Sequence, residues 1–205
     1  MRVHHIVRTT LGCTIAAALM LTAASAQQRG ALAVDTAKVT IDGSSNVHAW
    51  SAETKTVRVT RVQLADGVAG PGFWDAVVKP GALTAFEIAI PAASLKSAKD
   101  GLDKNMHKAL NVQQHPDITF RLVRLEPKAA GVLAAIGALK IAGVEKEVTL
   151  DLKIERRESA LAVKGTIELL MTDYGIAPPK AMMGMLKTDP KVKITFETVL
   201  GVPLT

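Results

Sequence analysis

Val148-Thr149-Leu150-Asp151-Leu152-Lys153-Ile154 alternates apolar and polar residues, a period of two that sends one set of side chains to an apolar side and the other to water. It predicts a half-buried strand. Working outward, the same alternation recurs at Phe86, Ile88 and Ile90, at Ile118, Phe120 and Leu122, at Leu161, Val163, Ile167 and Leu169, and at Val192, Ile194 and Phe196. Further strands are expected over residues 37–41, 47–53, 56–64 and 133–141. In the third of these the apolar series Val57, Val59, Val62, Leu64 slips by one residue, as a bulge requires. The short separators Asp42-Gly43, Ala142-Gly143 and Glu158-Ser159 suit hairpins, so the strands should be mainly antiparallel. An antiparallel sheet of eight or nine strands deals with its edges by closing into a barrel or splitting into a sandwich. The fold class is all-β.

Two segments break the rhythm. Over residues 100–111, Leu102, Met106 and Leu110 recur at a spacing of four with Lys104 and Lys108 on another face, and Pro116 forbids continuation. The spacing predicts a short amphipathic helix. Residues 181–186 carry Met182, Met183, Met185 and Leu186 between Pro178-Pro179 and Asp189-Pro190, a helical turn or an apolar loop. Flexible thioethers suit a pliable lid over a ligand, and equally suit gap filling. Residues 65–82 are rich in Gly and Pro and contain Phe73-Trp74, a pair suited either to dipping into a membrane interface or to plugging one end of a barrel.

At the N-terminus, Arg2 and Arg8 precede the apolar run Leu11 to Ala24, which closes on Ala24-Ser25-Ala26. A basic start, a short apolar middle and small residues before the cut read as a secretory signal peptide over residues 1–26, with cleavage before Gln27. The run is short of the ~20 residues that span a bilayer and is interrupted by Thr14 and Thr22. Cys13, the only cysteine, lies inside it and before most of the apolar run, unlike a lipoprotein anchor. Removing residues 1–26 from the 205 leaves 179, one domain of residues 27–205 long enough for a sizeable core and holding no thiol. Such a domain depends on its apolar core. The chain has 25 Lys and Arg against 19 Asp and Glu, and two of the arginines leave with the signal. The remaining excess is mild and dispersed, which argues against nucleic acid as a partner. The expected location is periplasmic or secreted.

Catalytic motifs are absent: there is no G-x-S-x-G, no phosphate-binding glycine loop and no thiol after cleavage. Asp151, Glu168 and Asp173 alternate with apolar residues, as outward positions do. His48, His107 and His115 are three imidazoles, but none pair at i, i+4 and His48 is remote in sequence, so no metal site and no cofactor are expected. The reading is a non-enzyme.

Four segments in order carry a resemblance. They are Gly43-Ser44-Ser45-Asn46-Val47-His48-Ala49-Trp50; Ile88-Ala89-Ile90-Pro91-Ala92-Ala93-Ser94-Leu95, leading through Met106-His107-Lys108-Ala109-Leu110 to His115-Pro116-Asp117-Ile118-Thr119-Phe120; the hairpin Gly137 to Val148; and Thr172-Asp173-Tyr174-Gly175-Ile176. From about Val39 to Val199 the chain resembles the YceI-like family of secreted, lipocalin-like proteins that bind polyisoprenoid and related lipids. The resemblance implies an antiparallel eight-stranded lipocalin-like barrel with a short amphipathic helix. It also implies a long-chain lipid such as a polyisoprenoid as partner, while transient membrane contact is one of the two uses open to Phe73-Trp74. A barrel of about eight strands has an interior that side chains either fill or line around one small ligand. The candidate ligand-lining residues are Trp50, Phe86, Ile88, Met106, Ile118, Phe120, Val148, Leu150, Ile167, Met182, Met183 and Met185. Alternation alone does not separate lining from packed core. The other reading is a periplasmic stress or interaction protein with a filled barrel that docks a membrane or a redox partner.

Overall fold

The computed structural model describes residues 32–181 and 185–202, so the expected signal segment and both Met182 and Met183 lie outside the described residues. In chain order the strands are β1 (Ala33–Ser45), β2 (Ala49–Thr54), β3 (Arg58–Leu64), β4 (Leu83–Pro91), β5 (Lys96–Ser97), β6 (Asp117–Ala129), β7 (Val132–Ile141), β8 (Val144–Arg157), β9 (Ala160–Leu170), β10 (Lys180–Ala181) and β11 (Leu186–Gly201). The helices are α1 (Phe73–Ala76) and α2 (Asp100–Ala109). Neighbouring strands are antiparallel in the order β3-β4-β6-β7-β8-β9-β11-β1-β2-β5, with β10 attached to β11. The sheet curls into a half-barrel whose two ends, β3 and β5, are not joined, although β3 approaches β1 across the gap.

This is the all-β antiparallel architecture that the alternation predicts, with a strand count that differs from eight. The additions are local. β5 and β10 are two-residue pairings made where a loop lies against β2 and β11, whereas β2, expected over residues 47–53, is a short strand that ends at Thr54. The slip expected within residues 56–64 is a register shift in the β3–β4 pair between Val59 and Arg61. Bulges of this kind bend and twist a sheet, and they recur in β1–β11 and β6–β7.

Turn chemistry places the hairpins, with one correction. Ala142 and Gly143 both take positive φ, 49° and 85°, in the two-residue turn linking β7 to β8, the mirror-image turn that suits twisted strands. Glu158-Ser159 links β8 to β9. Asp42-Gly43, expected as a separator, instead lies within β1, which stays paired on both sides, to β11 and to β2. The chain reverses at residues 46–48. There the Ser45 hydroxyl donates to the His48 carbonyl at 2.8 Å and accepts from its amide at 3.1 Å.

The core divides along the barrel. At one end Leu32, Trp74, Val77 and Leu161 are buried together, with Leu64, Phe86 and Ile154 packed against them. Trp74 is only 8% exposed and meets Phe73 edge-on at 4.9 Å, so this pair plugs an end of the sheet. Arg156 ties α1 down through Asp75 at 2.5 Å. Helix α2 crosses the sheet elsewhere, burying Met106 against Ala52 and Leu95. It ends before Asn111, whose φ of 50° is a left-handed stop.

Candidate functional site

Between α2 and the inner sheet face lies a cavity of about 340 Å³. The alternation of each strand supplies its wall, because one parity of side chains turns inward: Val39 and Ile41 from β1, Ile88 and Ile90 from β4, Leu139 and Ile141 from β7, Ile167 and Leu169 from β9. Leu102 and Met106 of α2, with Leu110 at its C-cap, close the opposite side, one face of a helix read at a spacing of four. The surface so formed is predominantly aliphatic.

Space in the middle depends on three glycines. The rings of Trp50, Phe120 and Phe196 all line the cavity, and each lies over a glycine of the neighbouring strand, Gly43, Gly137 and Gly165 respectively. A Cβ on Gly137 would stand 2.5 Å from Phe120 Cζ, so no larger residue fits beneath that ring. Indole Nε1 of Trp50 donates to the Ser44 carbonyl at 3.3 Å, which keeps its ring down on Gly43. Rings laid along the sheet leave volume that upright rings would take.

The rim is polar and cationic. His48, Lys99, Asn105 and Lys180 are exposed yet line the cavity, and no aspartate or glutamate among the described residues does so. Hydrogen bonds bring these loops together. The Asn46 side chain donates to the Met185 carbonyl and accepts from the Lys187 amide, both at 2.8 Å, which seats the β1–β2 turn carrying His48 on the start of β11. β10 then pairs Lys180 with Lys187. Lys99 precedes α2 and follows β5, whose pairing with β2 brings it toward Trp50.

Two buried titratable groups are displaced from their ordinary behaviour. Asp103, 5% exposed, is held below the usual carboxylate range by the Ser97 side chain and then by the Ser97 amide at 2.7 Å, against its burial; Lys96 at 3.5 Å adds attraction. Tyr174, 3% exposed, lines the cavity within a cluster with Ile141 and Ile176, and its hydroxyl has no hydrogen-bond partner among the described residues. Burial, and secondarily the charge of Asp173, pushes that phenol up.

Of the residues expected to line a ligand, the structure brings together Trp50, Ile88, Met106, Ile118, Phe120, Leu150 and Ile167 around the cavity. Phe86 shares the parity of Ile88 but sits further along β4, where it packs on the Trp74 plug instead. Val148 is also outside the lining. It pairs with Gly137, over which the Phe120 ring lies, so that ring presents the apolar surface there. Met185 is 66% exposed and outside the lining, while Met182 and Met183 lie outside the described residues. The three candidate histidines are dispersed. His107 Nε2 is 2.9 Å from the Leu95 carbonyl, His115 lies against Gly143, and only His48 is at the rim. Leu139, Leu169, Ile194 and Phe196 carry the same periodic signal and were omitted from the expected site. Lys99 and Lys180 carry no such signal.

A family model, the YceI-like domain, matches residues 16–200. No curated protein matches the chain. Solved structures with this fold include BcnA of Burkholderia cenocepacia, with a TM-score of 0.62 at 14% identity, covering 80% of this chain and 95% of that one. A polyisoprenoid binding domain from Saccharophagus degradans, implicated in plant cell wall breakdown, has a TM-score of 0.62 at 12% identity, over 85% of this chain and 100% of its own. The YCEI protein of Campylobacter jejuni has a TM-score of 0.56 at 15% identity, over 75% and 85%. At such identities the likeness is one of fold. The match of the family model over most of the length makes this chain a member of the YceI-like domain family.

Proposed function

We propose that the protein is an exported lipid-binding protein that holds the hydrocarbon chain of an isoprenoid-type or other long-chain amphipathic lipid in its cavity. The observation that carries this reading is the aliphatic cavity of about 340 Å³, lined from both the sheet and α2 and kept open by aromatic rings lying on glycines. A volume in this range suits one slender chain. Each methylene withdrawn from water contributes ~0.8 kcal/mol, so a dozen outweigh much of the cost of association without any catalytic group. Family membership and the polyisoprenoid-binding neighbour support the same reading. Burial of Trp74 favours it over a filled barrel that docks through Phe73-Trp74, because the indole is already used inside the molecule. Native mass spectrometry of protein purified from its own host without detergent tests the proposal. The expected result is a co-purifying lipid released on denaturation; bare protein that also fails to take up added long-chain lipids would overturn it.

A further inference from the structure

Resting on the lipid-carrier reading, we infer that the rim selects a single-chain lipid with an anionic head, a carboxylate or a phosphate. Some cations on the sheet are matched by carboxylates, as in Lys38–Glu53 at 3.0 Å and Lys191–Glu168 at 2.7 Å. The two rim lysines are not. Lys99 and Lys180 enter no ion pair among the described residues, and the cavity they border has no acidic lining. Lys180 moreover stands opposite Lys187 across the β10–β11 ladder, an arrangement of like charges that an isolated sheet disfavours and that an anion between them relieves. The nearest acid in sequence, Asp100, is in the first turn of α2 and does not face the cavity.

The rest of the rim suits the same head. His48 and the Asn105 amide also border the cavity, adding hydrogen-bond donors to the charges. Beyond the rim the wall turns aliphatic at Ile41, Leu102 and Met106. A chain seated there leaves its head where these cations are. The charges remain hydrated, which avoids the large penalty of burying an ion while still attracting one.

The test compares matched probes differing only at the head: palmitate against hexadecanol, and geranylgeranyl phosphate against geranylgeraniol, titrated calorimetrically into the full chain as its host produces it. Each anion is expected to bind about tenfold more tightly than its alcohol, a size consistent with two exposed charge contacts. The gap should close as salt rises from about 0.02 M to about 0.5 M, since exposed charges are screened over a few ångströms at the higher value. K99Q/K180Q should bring the ratio to near one, and K99E/K180E should invert it. K153Q/K193Q, which removes two exposed charges outside the cavity lining, should keep it. A gap in the palmitate pair alone assigns a carboxylate, and one in the prenyl pair alone a phosphate; either supports the inference. Equal affinity within both pairs, a ratio that survives K99Q/K180Q, or one lost equally in K153Q/K193Q overturns it while leaving the carrier reading intact. Failure of all four probes to bind overturns the carrier reading itself.

Discussion

Tyr174 and Asp103 show how far one buried polar group departs from another. The Tyr174 hydroxyl is buried without a partner among the described residues, a state that forfeits the water it would bond in the unfolded chain. Tyr174→Phe should therefore leave stability unchanged or raise it by about 1 kcal/mol in urea unfolding. A loss of that size would show the hydroxyl to be bonded. Asp103 is the opposite case, since it accepts from Ser97 and faces Lys96. Its folded-state pKa is depressed, so its stabilisation is fully present above the unfolded value of ~3.9 and is lost as pH falls through the lower folded value. Asp103→Asn should cost about 1.5–3 kcal/mol near neutral pH and flatten the acid limb of stability against pH, measured by urea titration from neutral to strongly acid buffer. An unaltered acid limb would reassign that limb to other carboxylates.

Among elements, the ladder of β9 and β11 shows how a sheet can enclose space. Phe196 pairs directly with Gly165, and its ring occupies the place of a Cβ there. Gly165→Val should lift the ring into the cavity, lower stability by about 1–3 kcal/mol through overpacking, and abolish uptake of a long-chain lipid. Uptake retained at normal capacity would show that ring and glycine do not govern the volume. Helix α1 is held in two ways of different size. Trp74→Ala should cost about 3–5 kcal/mol because a buried indole leaves a cavity. Asp75→Ala, which removes only the exposed pair with Arg156, should cost at most about 1 kcal/mol. Parallel denaturant titrations check the contrast, and equal losses would place the anchor of α1 in the ion pair.

At the scale of the whole molecule the half-barrel is plugged at one end by apolar packing and bordered by cations at the cavity. That polarity suits a carrier that takes a chain in tail first. It also requires the protein to meet its lipid in the right compartment, for which Arg2, Arg8 and Ala24-Ser25-Ala26 are the proposed export signal. N-terminal sequencing of the protein from the periplasmic or secreted fraction should read from Gln27. An intact Met1, or lipid on Cys13, would remove that assignment.

The strand Val148 to Ile154, the helix around Met106 and the slip near Val59 were all legible in the order of residues, because side-chain period reflects local geometry that any enclosing fold must respect. The inward parity of Ile88, Ile118, Phe120, Leu150 and Ile167, and the helical spacing of Met106, were legible for the same reason. Parity assigns a face, however, and says nothing of depth along a barrel. Phe86 and Ile88 have the same signal and only tertiary packing sends one to the plug and the other to the cavity. Asp42-Gly43 reads as a turn, yet two flanking strands hold it extended. Lys99 and Lys180 look like ordinary surface lysines in the chain, since convergence of charge is a property of distant loops brought together. The sequence by itself therefore determined the periodic elements and their inward faces, which depend on neighbours a few residues away. Tertiary structure decided where space is left and which charges border it, because both depend on contacts between residues far apart in the chain.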